Sequence, residues 1–473
     1  MPGPRTLFLA GLTLLAVSVG GALLLGKGHG GRESTPSVST PSVSTSAVPP
    51  PPPPFGVTSA GPSKVGAYGV TLSWETPEPS TGRVVWGPDG MRPVLWADSA
   101  QLATMHAVAL SGLASSTRYS ATIEAHSSTG ETVSRQVHFT TAPAPEAVEG
   151  ATSAGVVLVN GQPFFPLLAW QECPDRWSPE IAFGIDLFAG NTCTGLPSLL
   201  EAVRGRALAA GTSDDTPGVS GPGLLGWFYP DEADARGLSA VSLTPPGAGL
   251  RFLTLTSHFF SSAAPLPSGR GMYPGLVSKT DVVGFDLYPL QELCRPELVP
   301  WVFDAQQELV RLAPEKPTFQ WIEVREMKCP NPSAAVTPRT IRVESWLALA
   351  GGAHGLGFFP PDWGANVGVV VRGVADRIRQ LEPALLQPVV PVSVEPSTPA
   401  VRASARELEG AVYVVAVNAG GGPAPVRLGL ADLGDRSVEP LDGKAPLTAH
   451  QGALDVVLPP LSVRIYVAPP PGG

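Results

Sequence analysis

Between residues 55 and 143, apolar and polar positions alternate in short bursts: VTLSW (70–74), GRVVWG (82–87), HAVALSGL (106–113), RYSATIEA (118–125) and QVHFTT (136–141). Gly, Pro, Ser and Asp separate the bursts, and period-two runs punctuated in this way predict a β-sandwich of about 90 residues. From about residue 155 the rhythm changes to short apolar runs set between longer stretches. Candidate strands lie at 164–170 (FFPLLAW), 185–190 (IDLFAG), 207–211 (ALAAG), 224–230 (LLGWFYP), 251–257 (RFLTLTS), 282–289 (VVGFDLYP), 318–324 (TFQWIEV) and 355–360 (GLGFFP). Amphipathic segments at 299–314, 337–352 and 370–386 predict helices between or after them. Eight strands, mostly followed by helix-compatible stretches, predict a (β/α)8 TIM barrel over 152–388. A doubly wound sheet is the competing arrangement, but no Gly-rich phosphate turn follows the first strand. Strand patterning returns over 389–473, with AVYVVAVN (411–418) and LSVRIYVA (461–468), and predicts a C-terminal β-sandwich.

The N-terminus follows different rules. Residues 6–25, TLFLAGLTLLAVSVGGALLL, carry no charge, follow Arg5 and precede Lys27 and Arg32, so 1–33 is expected to be a signal peptide or a membrane anchor. The Ser/Thr/Pro-rich tract 34–54 ends in six consecutive prolines and has too few large apolar residues for a core, which makes it an extended linker. These two segments place the protein outside the cell or at its surface, with the membrane touched only through the N-terminal segment. The 53 glycines and 54 prolines among 473 residues suit a loop-rich fold. A net charge of -9 without runs of like charge offers no footprint for nucleic acid. The four cysteines, Cys173, Cys193, Cys294 and Cys329, show neither C-x-x-C spacing nor paired histidines, so no metal or other cofactor is expected and disulfides are.

Within the barrel pattern, GWFYPDEAD (226–234) is unusual because an apolar run ends on Asp231 and Glu232. In a (β/α)8 barrel the catalytic groups project from the C-terminal ends of the strands, and this run is strand 4 by count. TFQWIEV is strand 7, where Phe319, Trp321 and Glu323 share a face by period two. An acid on the barrel side of an apolar strand is costly to bury without a partner. Asp286 and Tyr288 likewise share a face at the end of strand 6. Glu172, Glu326 and His258 also fall near strand ends; for Glu326, beside Arg325, a loop ion pair is the simpler account, and for His258 a structural role competes with substrate binding. Trp170, Trp227, Tyr229, Trp321 and Trp363 cluster at or near strand ends, where flat rings suit the C–H faces of sugars. For Trp227 and Trp321, which lie within strands, core packing competes evenly with that reading. Four cysteines allow three connectivities; of these, loop positions favour Cys173 with Cys193, after strands 1 and 2, and Cys294 with Cys329, after strands 6 and 7.

Two resemblances add to these readings. VTLSWETPEPSTGRVVWG, with Trp74 in the core, and the run from Leu113 to Tyr119, which looks like a tyrosine corner, resemble fibronectin type III modules and the N-terminal sandwich of purple acid phosphatases. No metallophosphatase ligand motif follows, so that chemistry does not carry over. Glutamates ending strands 4 and 7 resemble the clan A glycoside hydrolases, as do NGQPFFPLLAW (160–170), Tyr288 after strand 6 and Trp363 after strand 8. That resemblance implies Glu232 as general acid/base and Glu323 as nucleophile in hydrolysis of a carbohydrate with retention. It also implies substrate contacts from Asp231, Asp286, Tyr288, Trp170, Trp321, Trp363 and His258. The clan carries Asn-Glu-Pro where this chain has Asp231-Glu232-Ala233, and the extra carboxylate raises the pKa of its neighbour. A noncatalytic carbohydrate-binding or cell-wall structural protein is the alternative.

Overall fold

Gly226 shows how local sequence shapes the barrel: a Cβ on it would stand 2.0 Å from the Leu250 carbonyl oxygen, so only glycine lets strand 4 lie this close to strand 5. The computed structural model describes residues 54–470, apart from 68, 94, 111–112 and 144–146. The signal or anchor expected at 1–33, and the linker up to residue 53, lie outside the described residues. Among those described, no helix is long and apolar enough to cross a membrane.

Eight parallel strands close into a barrel: Leu167–Trp170, Leu187–Ala189, Leu208–Gly211, Leu224–Phe228, Leu250–Thr256, Val282–Asp286, Thr318–Glu323 and Leu356–Phe359. We number them strands 1 to 8. Strand 1 starts later than the run FFPLLAW suggests. Pro166 has no N–H for a ladder, and Gln162–Phe164 instead joins Gly150–Ser153 and Val156–Val159 in a small antiparallel sheet. Val157, Val159 and Phe164 of that sheet pack with the barrel-interior side chains Leu168, Leu187, Leu208 and Phe252 and close the lower end. Inward-facing Phe228, Phe319, Trp321 and Trp170 fill the interior, and Gly357 leaves room for the Trp321 ring, which a Cβ there would meet at 2.1 Å.

The helical ring is incomplete. Helices Pro174–Ala182 and Leu196–Val203 follow strands 1 and 2, and Tyr273–Ser278, Trp301–Leu312, Pro338–Gly351 and Ala365–Leu385 follow strands 5 to 8. The connections after strands 3 and 4 are turns. Their sequences, GTSDDTPGVSGPG (211–223) and PDEADARGLSAVSLTPPGAG (230–249), hold too many Gly and Pro residues for a helix to propagate. The (β/α)8 expectation is corrected to that extent.

Before the barrel lie five antiparallel strands, Ser59–Val65, Val70–Pro88, Leu95–Leu110, Arg118–Ser127 and Thr132–Thr140. VTLSW and GRVVWG, read from the sequence as separate bursts, belong to one 19-residue strand. Its first part pairs with Ser59–Val65 and its last part with Arg118–Ser127, while Leu95–Leu110 runs beside both. Leu72, Trp74, Val84, Trp86 and Ile123 form the core. The Ala114 amide donates to the Tyr119 hydroxyl at 2.9 Å, the hydrogen bond of a tyrosine corner.

After the barrel, one antiparallel sheet centres on Val401–Leu408, Ala411–Asn418 and Ser462–Ala468, and a second holds Ser393–Glu395, Ala424–Gly429 and Ala453–Leu458. Val415, Val417, Val463 and Ile465 join the apolar layer of the barrel helices. The buried Arg406 guanidinium donates to the Leu349 carbonyl at 2.7 Å, in the last turn of helix Pro338–Gly351, where the free carbonyls of a helix end attract a cation.

Candidate active site at the barrel mouth

The residues of DEAD separate as they leave strand 4. Asp234 is buried: it accepts from the Thr256 amide at 3.0 Å, the Thr256 hydroxyl at 2.5 Å and the Tyr273 hydroxyl at 3.1 Å, and so ties this turn to strand 5. Asp231 and Glu232 are half-buried at the rim, and Glu232 holds a left-handed φ of 49°, a conformation a non-glycine residue keeps only when its surroundings impose it. Burial raises the pKa of Glu232, and the neighbouring carboxylates of Asp231, Glu292 and Asp234 raise it further against the opposing charge of Arg236. Asp231 is raised for the same first reason, with Arg236 opposing and Asp214 adding to the rise.

Strand 6 brings a third acid to this group. Asp286 is raised well above the ordinary range by burial and then by Asp231, Glu232 and Glu292, while the hydroxyl of Tyr288 donates to its Oδ1 and favours the ionised form. Tyr288 keeps its proton, since burial and Asp286 push its own pKa well up. Asp231, Glu232, Asp286 and Glu292 therefore form one electrostatically linked set. Sequence reasoning missed Glu292 and Asp214; both lie in the turn-rich stretches that follow strands 6 and 3, where periodicity gives no facing.

Glu323 is placed differently from the expectation. It is 0 % exposed, and its two oxygens accept from the Leu290 and Gln291 amides, each at 2.8 Å. The carboxyl of Glu344, buried on helix Pro338–Gly351, meets it from behind with no donor of its own in reach, so their contact is a hydrogen bond only when one of the two carries a proton. Burial pushes Glu323 up to about 7, against the two amides, and burial and Glu323 raise Glu344 well above the ordinary carboxyl range. Both oxygens of Glu323 are thus engaged in bracing the loop after strand 6. Gln291 extends the brace: its side chain donates to the Ala334 carbonyl and accepts from the Met327 amide, both at 2.8 Å. Strand 1 repeats the device. Glu172 accepts from the Asp362 amide at 3.0 and 3.1 Å and is backed by Glu180, which burial and Glu172 push up to about 10. Sequence reasoning also missed Glu344; a glutamate within an apolar helix run, as in RVESWLALA, is the signal that could have found it.

The expected aromatic shelf is also corrected. Trp170 (9 % exposed) and Trp321 (2 %) pack edge to face inside the barrel, with the Trp321 indole N–H donating to the Thr254 hydroxyl at 3.1 Å. Trp363 (3 %) lies against Phe183 and Phe358 in the helix layer. The reason is general: the interior of an eight-stranded barrel is a packed core, so rings within strands fill it and only groups past the strand ends reach the mouth. His258 donates from Nδ1 to the Ala264 carbonyl at 2.7 Å and orders its own loop. Cys173 is bonded to Cys193 and Cys294 to Cys329, the pairing expected from loop positions.

No family model matches the chain, and no curated protein matches it. Among solved structures, similarity extends to a putative α-galactosidase/melibiase from Bacteroides fragilis, at 10 % identity and a TM-score of 0.43 over 88 % of this chain and 97 % of that one. An endoxylanase from Clostridium papyrosolvens is similar at 11 % identity and a TM-score of 0.38, over 68 % of this chain and 100 % of its own. A β-glucuronidase from Ruminococcus gnavus is similar at 10 % and 0.33, over 69 % and 68 %. These are glycoside hydrolases, at a distance that assigns no activity or residue role.

Proposed function

We propose that the protein is an exported, glycoside hydrolase-like barrel acting on a carbohydrate, with Glu232 as general acid/base and Asp286 as the carboxyl that faces it. The linked acids of strands 4 and 6 carry this reading. Crowded acids with raised pKa values hold a proton among them, which Glu232 can give to the leaving glycosidic oxygen, while Asp286 must be ionised to meet the anomeric carbon, the form that the Tyr288 hydroxyl favours against burial. The oxocarbenium-like transition state places positive charge among carboxylates that otherwise repel one another, so the cluster is relieved as the reaction proceeds. Glu232, at the open rim, reaches the leaving oxygen; Asp286, with Tyr288 donating to one oxygen, presents the other to the anomeric carbon. Glu323, given the nucleophile's role by resemblance, acts in this reading as the brace of the loop that carries Tyr288 and Glu292. The first β-domain, similar to a fibronectin module, serves as spacer.

A panel of chromogenic aryl glycosides tests the reading. Glu232→Gln and Asp286→Asn are each expected to lower kcat/KM by about 10²-fold or more, and Glu323→Gln to lower thermal stability more than turnover. Retention is expected for carboxyls roughly 5 to 5.5 Å apart, and the anomer first released, followed by NMR, reports it. Full turnover by Asp286→Asn would remove the role given to that residue. The engagement of both Glu323 oxygens favours the second reading, carbohydrate recognition without turnover; glycan-array binding by a wild type that cleaves none of the panel would establish it.

A further inference from the structure

A chamber lies at the opposite end of the barrel from the mouth, where Asp186 and Leu208 lead into strands 2 and 3. Its volume is about 670 Å³, inside the range of roughly 300–1,000 Å³ typical of small-molecule pockets. Its walls include Val65 and Leu110 of the first β-domain, Val156 and Leu158 of the small sheet, Pro383 and Leu386 at the end of the last barrel helix, and Leu408 of the C-terminal sheet. The junction around it is fixed, because the amide and hydroxyl of Ser115 both donate to the Gly205 carbonyl, at 3.0 and 2.8 Å. Arg377 also lies over the Trp96 ring, 5.4 Å from its centroid. The space is an open cleft, with Val65 43 % exposed at its edge, and its apolar walls favour an apolar guest.

The charges at the chamber are unevenly matched. Its acids, Asp186 and Glu382, both pair with the buried Arg379. Its two cations, Arg206 and Lys64, are exposed at its edge, and neither has an ion-pair partner among the described residues; Arg206 donates to the Ser178 hydroxyl at 3.1 Å and the Ala202 carbonyl at 2.7 Å, both neutral. An apolar chamber with uncompensated positive charge at its walls selects a guest with an alkyl body and an anionic head.

We propose that this chamber binds an alkyl carboxylate, its chain among Val65, Leu110, Val156, Leu158 and Leu386 and its head at Lys64. The site is separate from the barrel mouth and independent of any chemistry there. Calorimetric titration of the full chain with dodecanoate, below its micellar concentration, tests it. Saturable binding at one molecule per chain is expected, and dodecyltrimethylammonium should bind at least about tenfold more weakly, equivalent to about 1.4 kcal/mol. Ala109→Trp and Leu158→Trp, which fill the chamber from two walls, should each abolish binding, and Lys64→Glu should weaken it about tenfold or more. Circular dichroism melts identify which filled variant folds as the wild type, and that variant decides. Non-saturable uptake, equal affinity for the cationic amphiphile, or undiminished binding in a folded chamber-filled variant would overturn the proposal.

Discussion

Single atoms decide much at the residue scale. Placing a Cβ at Gly226 sets it against the Leu250 backbone, which cannot give way as a flexible side chain would. Gly226→Ala is therefore expected to cost about 3 kcal/mol, measured by urea unfolding. The Tyr288 ring stacks on Phe359, 5.4 Å between centroids, and its hydroxyl stabilises the ionised form of Asp286. Removing that donor raises the carboxyl pKa further. Tyr288→Phe should thus move the acidic limb of any pH–rate profile to higher pH while leaving the melting temperature nearly unchanged; an unmoved limb would separate Tyr288 from the titrating group.

At the scale of elements, two strand ends are held to mouth loops by paired carboxyls, Glu172 with Glu180 and Glu323 with Glu344. The helical partners, Glu180 and Glu344, have pKa values raised in the folded state, Glu180 to about 10. An unfolded glutamate titrates near 4.3. Between those values the folded chain binds more protons than the unfolded one, so the stabilising contribution is complete at acid pH and is lost as pH rises toward 10. Melting temperature should fall from pH 5 to pH 9. Glutamine imitates the protonated acid, so Glu344→Gln and Glu180→Gln should flatten that slope; a slope unchanged in the double variant would place its origin elsewhere. Near Glu323 the other charge is Glu292, and near the Glu172 pair they are Arg176, Asp175 and Asp362. The arginine and the carboxylates act in opposite directions there.

Across the whole molecule, the described chain from 54 onward is held together by domain junctions as much as by the barrel. Arg406 is the clearest case: fully buried, lowered to about 10 by desolvation, its two terminal nitrogens donate to carbonyls and the Ser404 hydroxyl rather than to a carboxylate, and its Nε has no partner among the described residues. Arg406→Ala removes the guanidinium from the end of helix Pro338–Gly351 and leaves a cavity. The expected loss is about 3 kcal/mol, and chemical denaturation should then show the C-terminal sheets melting before the barrel. The Arg402–Asp304 pair at 2.7 Å spans the same junction, but it is partly exposed and contributes less than about 1 kcal/mol. Reduction of the disulfides Cys173–Cys193 and Cys294–Cys329 should lower stability by about 2–4 kcal/mol each, and it should loosen the mouth loops first.

Local patterning made the eight barrel strands and the corner at Tyr119 legible, and strand counting favoured one of three cysteine pairings, which the folded chain then made. Each depends on neighbours in sequence or on counting strands around a closed ring. Alternation along strand 7 gave Glu323 the barrel-facing side, but a period of two reports facing and carries no information about depth or partners. The Leu290 and Gln291 amides and the Glu344 carboxyl that enclose it come from parts of the chain that only the closed barrel brings together. The same limit applied to Trp321 and Trp363, whose rings fill the interior and the helix layer because neighbouring glycines and helices left space there. Asp231, Glu232 and Asp286 were legible as strand-end acids. Their meeting in one electrostatic set, with Glu292 added from a loop, was decided by tertiary structure, since Coulomb coupling follows distance in space and not separation along the chain.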